Sequence, residues 1–164
     1  MIRAIFACDD DWGIGRGNQL PWPNNSSDLK WFKENTLNSV IVMGRNTWES
    51  LPKKPLPNRM NVIVSSQNIS NGPNIVLKPN KSVDAVKSLS DTNDVWIIGG
   101  EQTLEVMFPI VDEIWLSRIN GSYDCDTFLP KTYIELSYSM IQSEKQGDLY
   151  IEKWRKIECS SIKN

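Results

Sequence analysis

The chain has 164 residues, 40% hydrophobic and 23% charged, a size and composition typical of one globular domain with one sizeable core. Its net charge of −2 argues against a nucleic-acid partner, because binding a phosphate backbone requires a basic surface. The absence of histidine excludes Ser-His-Asp and Cys-His nucleophilic sites and histidine-ligated zinc. The chemistry must therefore use carboxylates, a bound cofactor or ordered water.

Three widely spaced cysteines, Cys8, Cys125 and Cys159, form no CxxC pair, so the sequence indicates neither a metal site nor a redox pair. This cysteine usage is typical of a reducing cytoplasm. The first residues are too few for a signal peptide, and no apolar run approaches membrane-spanning length. We therefore expect a cytoplasmic protein without a membrane partner.

Short apolar runs alternate with helical patterns along the chain. Because the elements alternate, we expect an α/β domain with a mainly parallel sheet and helices on both faces. The last strands have no predicted helix between them, which favours an antiparallel C-terminal edge. Strands are predicted at 2–8, 39–44, 60–66, 74–78, 95–100, 112–119 and 149–156, and helices at 26–37, 45–51, 81–89 and 101–108.

The stretch "GIGRGN" (13–18) has glycines at alternate positions. It does not match the dinucleotide-binding fingerprint, because the spacing differs and Pro21 and Pro23 follow where a helix should begin. Two interpretations remain. In the first, the stretch is a flexible loop that uses glycine for unusual dihedral angles. In the second, it is a lid over a site. From this stretch alone, the flexible loop is favoured.

Two predicted strand-to-helix turns carry glycine where backbone amides could face a phosphate. "IIGGEQ" (97–102) contains Gly99 and Gly100, and "VMGRNTW" (42–48) contains Gly44. The first turn is equally consistent with a tight turn needed for strand–helix packing. The second is also consistent with a surface arginine and a threonine near the helix cap, a common arrangement, so either turn alone is weak evidence. Together they favour an extended diphosphate ligand, with Arg45 able to pair with a phosphate.

Asp28 precedes Trp31 and Phe32 by three and four residues, so the three side chains share one face of the predicted helix. An acid in a first turn often only complements the helix dipole. A carboxyl group against aromatic rings has a raised pKa unless a cation pairs with it. The position therefore also suits a ligand that supplies a cation or paired N–H donors.

The chain resembles the dihydrofolate reductase family from residue 1 to about residue 156. The resemblance implies one domain over 1–157 with a mixed eight-stranded sheet, and a C-terminal tail over 158–164. It also implies NADPH-dependent hydride transfer to 7,8-dihydrofolate with protonation at N5, with antifolate inhibitors as possible ligands. Nothing in the sequence requires a dimer, so we expect a monomer. The matching stretches are "IGRGNQLPW" (14–22), "DLKWFKENTL" (28–37), "VIVMGRNTWESL" (40–51), "LPNRMNVIVSSQ" (56–67), "WIIGG" (96–100) and "DTFLP" (126–130).

The resemblance also implies a substrate site. Asp28 corresponds to the acid that accepts two hydrogen bonds from the pterin, Ser117 to a hydroxyl bonded to that acid, and Arg59 to the arginine for the glutamate α-carboxylate. Leu20 and Trp22, in the loop that closes over the site, join Asp28 as implied catalytic positions. The family has no general acid beside N5, and water admitted past the Leu20 loop is the usual proposal. The other implied substrate contacts are Ile5, Ala7, Phe32, Ser50, Leu51 and Leu56.

The implied NADPH site spans the mobile loop, both glycine turns and the end of the strand predicted at 60–66. The resemblance further implies a cis peptide between Gly99 and Gly100, and gives Asp126 the role of steadying the closed loop. The cofactor positions are Ala7, Ile14, Gly15, Asn18, Gly44, Arg45, Asn46, Thr47, Ser65, Ser66, Lys78, Ile98, Gly99, Gly100, Gln102, Thr103, Leu104 and Thr127.

Three departures from the family pattern matter. Leu104 replaces an aromatic residue usual beside the nicotinamide, Gln102 replaces an arginine that many bacterial members carry at the 2′-phosphate, and Phe128-Leu129 replaces a polar residue followed by Phe. Two alternatives remain open. One is a reductase of another pterin or a pyrimidine on the same fold. The other is a low-turnover structural protein that binds folate and nucleotide, which only Leu104 favours.

Overall fold

The computed structural model of the chain describes residues 1–23, 26–69 and 72–158, so the predicted tail lies outside the described residues except for Glu158. The helices are α1 (Ser26–Thr36), α2 (Arg45–Ser50), α3 (Pro79–Ser90), α4 (Glu101–Met107) and α5 (Lys131–Ser137), with a 3₁₀ turn at Phe108–Ile110. The strands are β1 (Ile2–Cys8), β2 (Gly13–Gly15), β3 (Val40–Gly44), β4 (Met60–Val64), β5 (Ile75–Leu77), β6 (Val95–Gly99), β7 (Glu113–Arg118), β8 (Thr127–Phe128), β9 (Tyr138–Gln146) and β10 (Leu149–Lys156).

Within the described residues, eight strands form one mixed sheet in the order β5-β4-β3-β6-β1-β7-β10-β9. All pairs from β5 to β7 are parallel, and β10 runs antiparallel to both β7 and β9. The expected mainly parallel sheet with an antiparallel C-terminal edge is confirmed. Strands β2 and β8 form a separate antiparallel pair, which joins the segment after β1 to the segment after β7.

Two apolar cores lie on opposite faces of the sheet, because successive side chains of a strand point to opposite sides. Leu104 and Met107 of α4 pack in one core with Ala4 of β1. Trp31 of α1 packs in the other with Ile5 of β1, and so does Trp48 of α2. Helices therefore cover both faces, as predicted, and the central strands carry near-continuous apolar runs for that reason.

The prediction that no helix separates the last strands is wrong, because α5 lies between β7 and β9. Ile134 is the buried residue of α5. Strand β9 forms the edge of the sheet and buries Tyr138, while nearly all of its other residues are exposed. Neither element carries the apolar periodicity that identifies a helix or strand packed against a core.

Candidate active site

The candidate site lies at the carboxyl ends of β3 and β6, which are adjacent parallel strands. Gly44 ends β3 and caps α2, while Gly99 ends β6 and Gly100 caps α4. Ligands of open α/β sheets commonly bind outside the carboxyl ends of the strands. The two glycine turns singled out in the sequence therefore meet at one edge of the sheet.

The two turns pack closely against each other's helices. A Cβ atom added to Gly44 would lie 2.7 Å from Thr103 Oγ1 of α4, and one added to Gly99 would lie 2.7 Å from Thr47 Oγ1 of α2. Gly99 has φ +148°, and its peptide bond to Gly100 is cis, as the resemblance implies. Without side chains at these glycines, a diphosphate could approach the backbone amides of both turns. We call these turns the glycine cradle.

Polar side chains lie beside the cradle, at the ends of neighbouring parallel strands. Ser65 and Ser66 follow β4, and Lys78 follows β5. On α2, Arg45 Nε donates to Glu49 Oε1 at 2.8 Å, and Arg45 Nη1 donates to Gln67 Oε1. Asn46 and Gln102 are exposed on α2 and α4. Gln67 was not predicted to contribute to the site. Its position directly after Ser65 and Ser66 could have identified it.

Asp28 on α1 is only 6% exposed. Burial raises the pKa of its carboxyl group, and a hydrogen bond from the Ser117 hydroxyl partly opposes that effect. Ser117 on β7 is fully buried and has no other hydrogen-bond partner among the described residues. Ala7 is its register partner on β1. The structure therefore brings Asp28, Ser117 and Ala7 together.

Several apolar side chains predicted to contact the ligands pack in the same core as Trp31. Ile5 is buried in it, and the half-buried residues Phe32, Leu51, Leu56 and Ile98 pack against it. Half-buried apolar groups at the rim of a core form a suitable wall for a flat heterocycle. Ser50, in contrast, is exposed, and its hydroxyl donates to Thr47 O.

Arg59 lies in the turn before β4 and contacts the far end of α1. Its Nη1 donates to Thr36 Oγ1 and its Nε to Pro57 O, both at 3.0 Å. Thr36 follows Asp28 by eight residues, which is about 12 Å along a helix axis. A ligand lying along α1 could therefore present hydrogen-bond donors to Asp28 and a carboxylate to Arg59.

The segment 13–22 is a short hairpin rather than an irregular loop. Arg16 and Gln19 exchange two backbone hydrogen bonds around Gly17 and Asn18, whose φ angles are +57° and +62°. Two successive positive φ values are characteristic of a type I′ turn. Gly17 therefore occupies a defined turn position, and Leu20, just beyond this turn, is 53% exposed.

The hairpin is attached to the segment around β8. Gly15 pairs with Thr127, and Gly17 N–H donates to Asp126 Oδ2 at 2.9 Å. Trp22 is 6% exposed, and Ile14 packs against the core that contains Leu104. Leu104 itself is fully buried and is part of that core. Asp126 thus makes the loop contact that the resemblance implies.

No three Cys, Asp or Glu side chains within residues 1–23, 26–69 and 72–158 are grouped so that they could hold a metal ion. No helix of that same part of the chain has the length and apolar character needed to cross a membrane.

The mainly parallel sheet, the glycine cradle at its carboxyl edge and the buried carboxylate are features of a ligand-binding α/β domain. The chain belongs to the dihydrofolate reductase family, since the family model described as Dihydrofolate reductase matches residues 1–158.

Known proteins of this family are similar along most of the chain. Dihydrofolate reductase of Bacillus subtilis is 34% identical over 154 residues, covering 88% of this chain and 84% of that protein. A solved dihydrofolate reductase from Enterococcus faecalis, complexed with NADP(H) and RAB-propyl, has a TM-score of 0.81 at 25% identity and covers 96% of this chain and 97% of that one.

One similar protein carries a different name. Segregation and condensation protein A of Mycoplasmoides gallisepticum is 30% identical over 161 residues, which is 95% of this chain. The match covers only 26% of that protein, so the chain spans about a quarter of that relative's length.

Proposed function

We propose that the chain reduces 7,8-dihydrofolate to 5,6,7,8-tetrahydrofolate with NADPH, the activity of the family to which it belongs. The observation that carries the proposal is the arrangement along α1, with buried Asp28 near one end and Arg59 bonded to Thr36 at the other. Dihydrofolate has the complementary groups, because its pterin presents paired N–H donors and its glutamate presents a carboxylate.

The side chains around Asp28 orient the pterin and exclude water. The Asp28 carboxylate accepts two hydrogen bonds from the 2-amino and N3 groups, while Ile5, Phe32 and Ile98 surround the rings. Placement of this kind contributes most of what a protein adds to a hydride transfer. The proton for N5 comes from water that enters beside Leu20, which is 53% exposed.

The glycine cradle fits NADPH. Gly44, Gly99 and Gly100 would hold its diphosphate through backbone amides, and Arg45, with Ser65 and Ser66, would hold the adenosine phosphate. Ala7, Ile14 and Ile98 would line the nicotinamide slot. Bound NADPH supplies the hydride, so these residues need only hold its nicotinamide ring beside the pterin.

Family membership favours dihydrofolate over another pterin or a pyrimidine, and the buried position of Leu104 gives no support to a low-turnover structural role. We further propose that the chain works as a monomer in the cytoplasm and that antifolates bind the same site. The free thiols of Cys8 and Cys125 suit a reducing compartment.

The proposed function is tested by the loss of NADPH absorbance when dihydrofolate is added to the purified protein. We expect oxidation of NADPH that depends on dihydrofolate, and a higher KM for a pteridine without the glutamate tail. A rate no faster than that without enzyme would contradict the proposal. Light scattering of the active protein gives its mass and so tests whether it is a monomer.

NADPH should be preferred over NADH although Gln102 is uncharged. Pairing of Arg45 with the 2′-phosphate contributes about 1.5–3 kcal/mol, equivalent to a factor of about 10 to 150 in kcat/KM. In Arg45→Ala, the ratio of kcat/KM with NADPH to kcat/KM with NADH should fall towards one. Lys30→Ala is the matched control, because Lys30 and Glu34 form an exposed (i,i+4) pair like Arg45 and Glu49. Equal kcat/KM values for both cofactors in the unchanged protein would refute this prediction.

Gly44→Ala should raise the Kd of NADPH about tenfold, a cost of about 1.4 kcal/mol. The new Cβ would lie 2.7 Å from Thr103 Oγ1 but 4.0 Å from Thr103 Cβ, so Thr103→Ala removes the clash. A double-mutant cycle measured by NADPH titration should therefore show that Thr103→Ala is less harmful, or even beneficial, in the Gly44→Ala background. Strictly additive effects would show that steric conflict is not the cause.

A further inference from the structure

One buried carboxylate joins the hairpin 13–22 to the segment that precedes β8. Asp9 is 1% exposed. Its Oδ1 accepts the N–H groups of Asp11 and Gly13 at 2.9 and 2.8 Å. Its Oδ2 accepts the Tyr123 N–H at 3.1 Å and the Cys125 thiol at 3.4 Å. A carboxylate has about four lone-pair sites, and donors from two distant segments occupy all of them here.

The charge states of the two side chains suit this arrangement. Burial alone would raise the pKa of Asp9, but the hydrogen bonds from Gly13, Tyr123 and Cys125 outweigh it and lower that pKa below its ordinary value. Burial and the neighbouring Asp9 raise the pKa of the Cys125 thiol to about 11. At neutral pH Asp9 therefore accepts and Cys125 donates.

Gly13 also fits Cys125 sterically. A Cβ atom added to Gly13 would lie 2.4 Å from Cys125 Sγ and 2.5 Å from Cys125 Cβ. Glycine is thus required here by the close approach of the partner segment. The start of the hairpin is held by both this contact and the Asp9 carboxylate.

The end of the hairpin is held through Tyr123. Its ring meets the ring of Trp22 edge to face, with centroids 6.0 Å apart. Asp9 fixes the backbone of Tyr123, and Tyr123 in turn packs against Trp22. One carboxylate therefore acts on both ends of the segment that contains Leu20.

We propose that Asp9 is a positioning residue for the reductase reaction, holding the hairpin 13–22 against the site through Gly13, Cys125 and Tyr123. The inference rests on the proposed function. Asp9 itself contacts no reacting group. When its contacts are lost, the hairpin separates from the site, water enters and the reactants lose their alignment.

The first test is a single-turnover measurement of NADPH oxidation in Asp9→Asn and Tyr123→Ala. We expect both rates to fall by about 10- to 100-fold, the scale for small misplacements of reacting groups. Binding of 2′,5′-ADP, which carries only the adenosine end of the cofactor, should stay unchanged. That combination separates loss of positioning from loss of the whole site.

Two controls match the perturbations. Asp10→Asn removes another carboxylate bonded to the same partner segment, but the Asp10–Gly121 bond is exposed. Tyr138→Phe removes a buried hydrogen bond to Val111 O, a contact that involves neither the hairpin nor Asp9. Both variants should keep the wild-type single-turnover rate. An equal fall in a Tyr138→Phe protein of matched stability would overturn the inference, because general destabilisation would then explain the loss.

Variants at Cys125 keep the test decisive if Asp9→Asn does not fold. Cys125→Ser retains a donor and should keep most of the rate, whereas Cys125→Ala should lose more. Gly13→Ala should be strongly impaired alone and partly rescued by Cys125→Gly, which removes both clashing atoms. Equal rates for the serine and alanine variants, with no rescue, would overturn the inference.

Hydrogen exchange supplies a readout that needs no activity. In Asp9→Asn the amides of Gly13 and Tyr123 should exchange faster than in the wild type. The amides of the Arg16–Gln19 turn show whether the hairpin itself stays folded. A wild-type protein that does not oxidise NADPH contradicts the proposed function but still permits this measurement. Unchanged exchange and an unchanged single-turnover rate in folded Asp9→Asn would overturn the positioning role.

Discussion

Asp28→Asn should lower kcat/KM for dihydrofolate by about 10²–10³, the range for deleting one charge-stabilising group. Asparagine keeps the size of the side chain but presents an NH₂ donor to the donor edge of the pterin, so two good hydrogen bonds become at most one. The carboxylate also favours the cationic pterin, and that effect grows as N5 gains its proton. The loss should therefore fall on kcat as well as on binding.

The same substitution should not weaken the fold. Burial raises the folded-state pKa of Asp28 above the unfolded value, so the folded protein binds more protons between those two values. Its free energy of unfolding therefore decreases as pH rises through that window. Asparagine avoids this cost, and urea unfolding at pH 7 should show Asp28→Asn to be at least as stable as the wild type.

Three further measurements define the role of Asp28. Activity of Asp28→Asn should partly recover at low pH, where dihydrofolate is already protonated, and its Kd for NADPH should hardly change. Asp84→Asn, on the exposed surface of α3, is the control and should keep normal turnover. A folded Asp28→Asn protein with near-normal turnover at neutral pH would leave Asp28 with only a helix-dipole role.

Arg59→Ala should raise KM for dihydrofolate by about 10- to 100-fold with little change in kcat. This corresponds to about 1.4–2.7 kcal/mol, as expected for loss of a charge-assisted contact. Since the glutamate tail of dihydrofolate lies away from the reacting carbon, its contact with Arg59 is present in both the ground state and the transition state. The hydrogen bonds of Arg59 to Thr36 and Pro57 hold the guanidinium in place before the ligand arrives.

A matched ligand tests the assignment of Arg59. Dihydropteroate lacks the glutamate, so its KM should be the same for the wild type and Arg59→Ala. Steady-state kinetics with both substrates gives the comparison directly. If kcat collapsed while KM for dihydrofolate stayed unchanged, the contact with the glutamate carboxylate would be excluded.

The sequence predicts the parts of the fold that are buried on both sides. The run at 39–44 becomes β3, whose residues from Val40 to Met43 are at most 1% exposed. Strand β9 was not predicted because it is an edge strand whose residues are nearly all exposed, so it has no such run. Spacing also placed Asp28 on the aromatic face of its helix, and that face is buried in the structure.

Contacts between distant segments could not be predicted in the same way. The three successive aspartates at 9–11 resemble a solvated loop, yet Asp9 is buried because Tyr123 and Cys125 satisfy its carboxylate from more than 110 residues away. The Arg45–Gln67 contact likewise depends on β3 and β4 being neighbours. Local periodicity carries no information about such partners. The roles assigned to the individual site residues remain predictions for the experiments above.

The position of β1 in the sheet also affects how the chain folds during its synthesis. Strand β1 lies between β6 and β7, and Ala4 pairs with Ile114, 110 residues further along the chain. At about 5–20 residues per second, the ribosome needs about 5–20 s to make the residues that separate these partners. For most of that interval β1 lacks both neighbouring strands, because β6 begins only at Val95 and β7 only at Glu113. Chaperone binding to nascent chains arrested before β7 should therefore exceed binding to chains arrested after it.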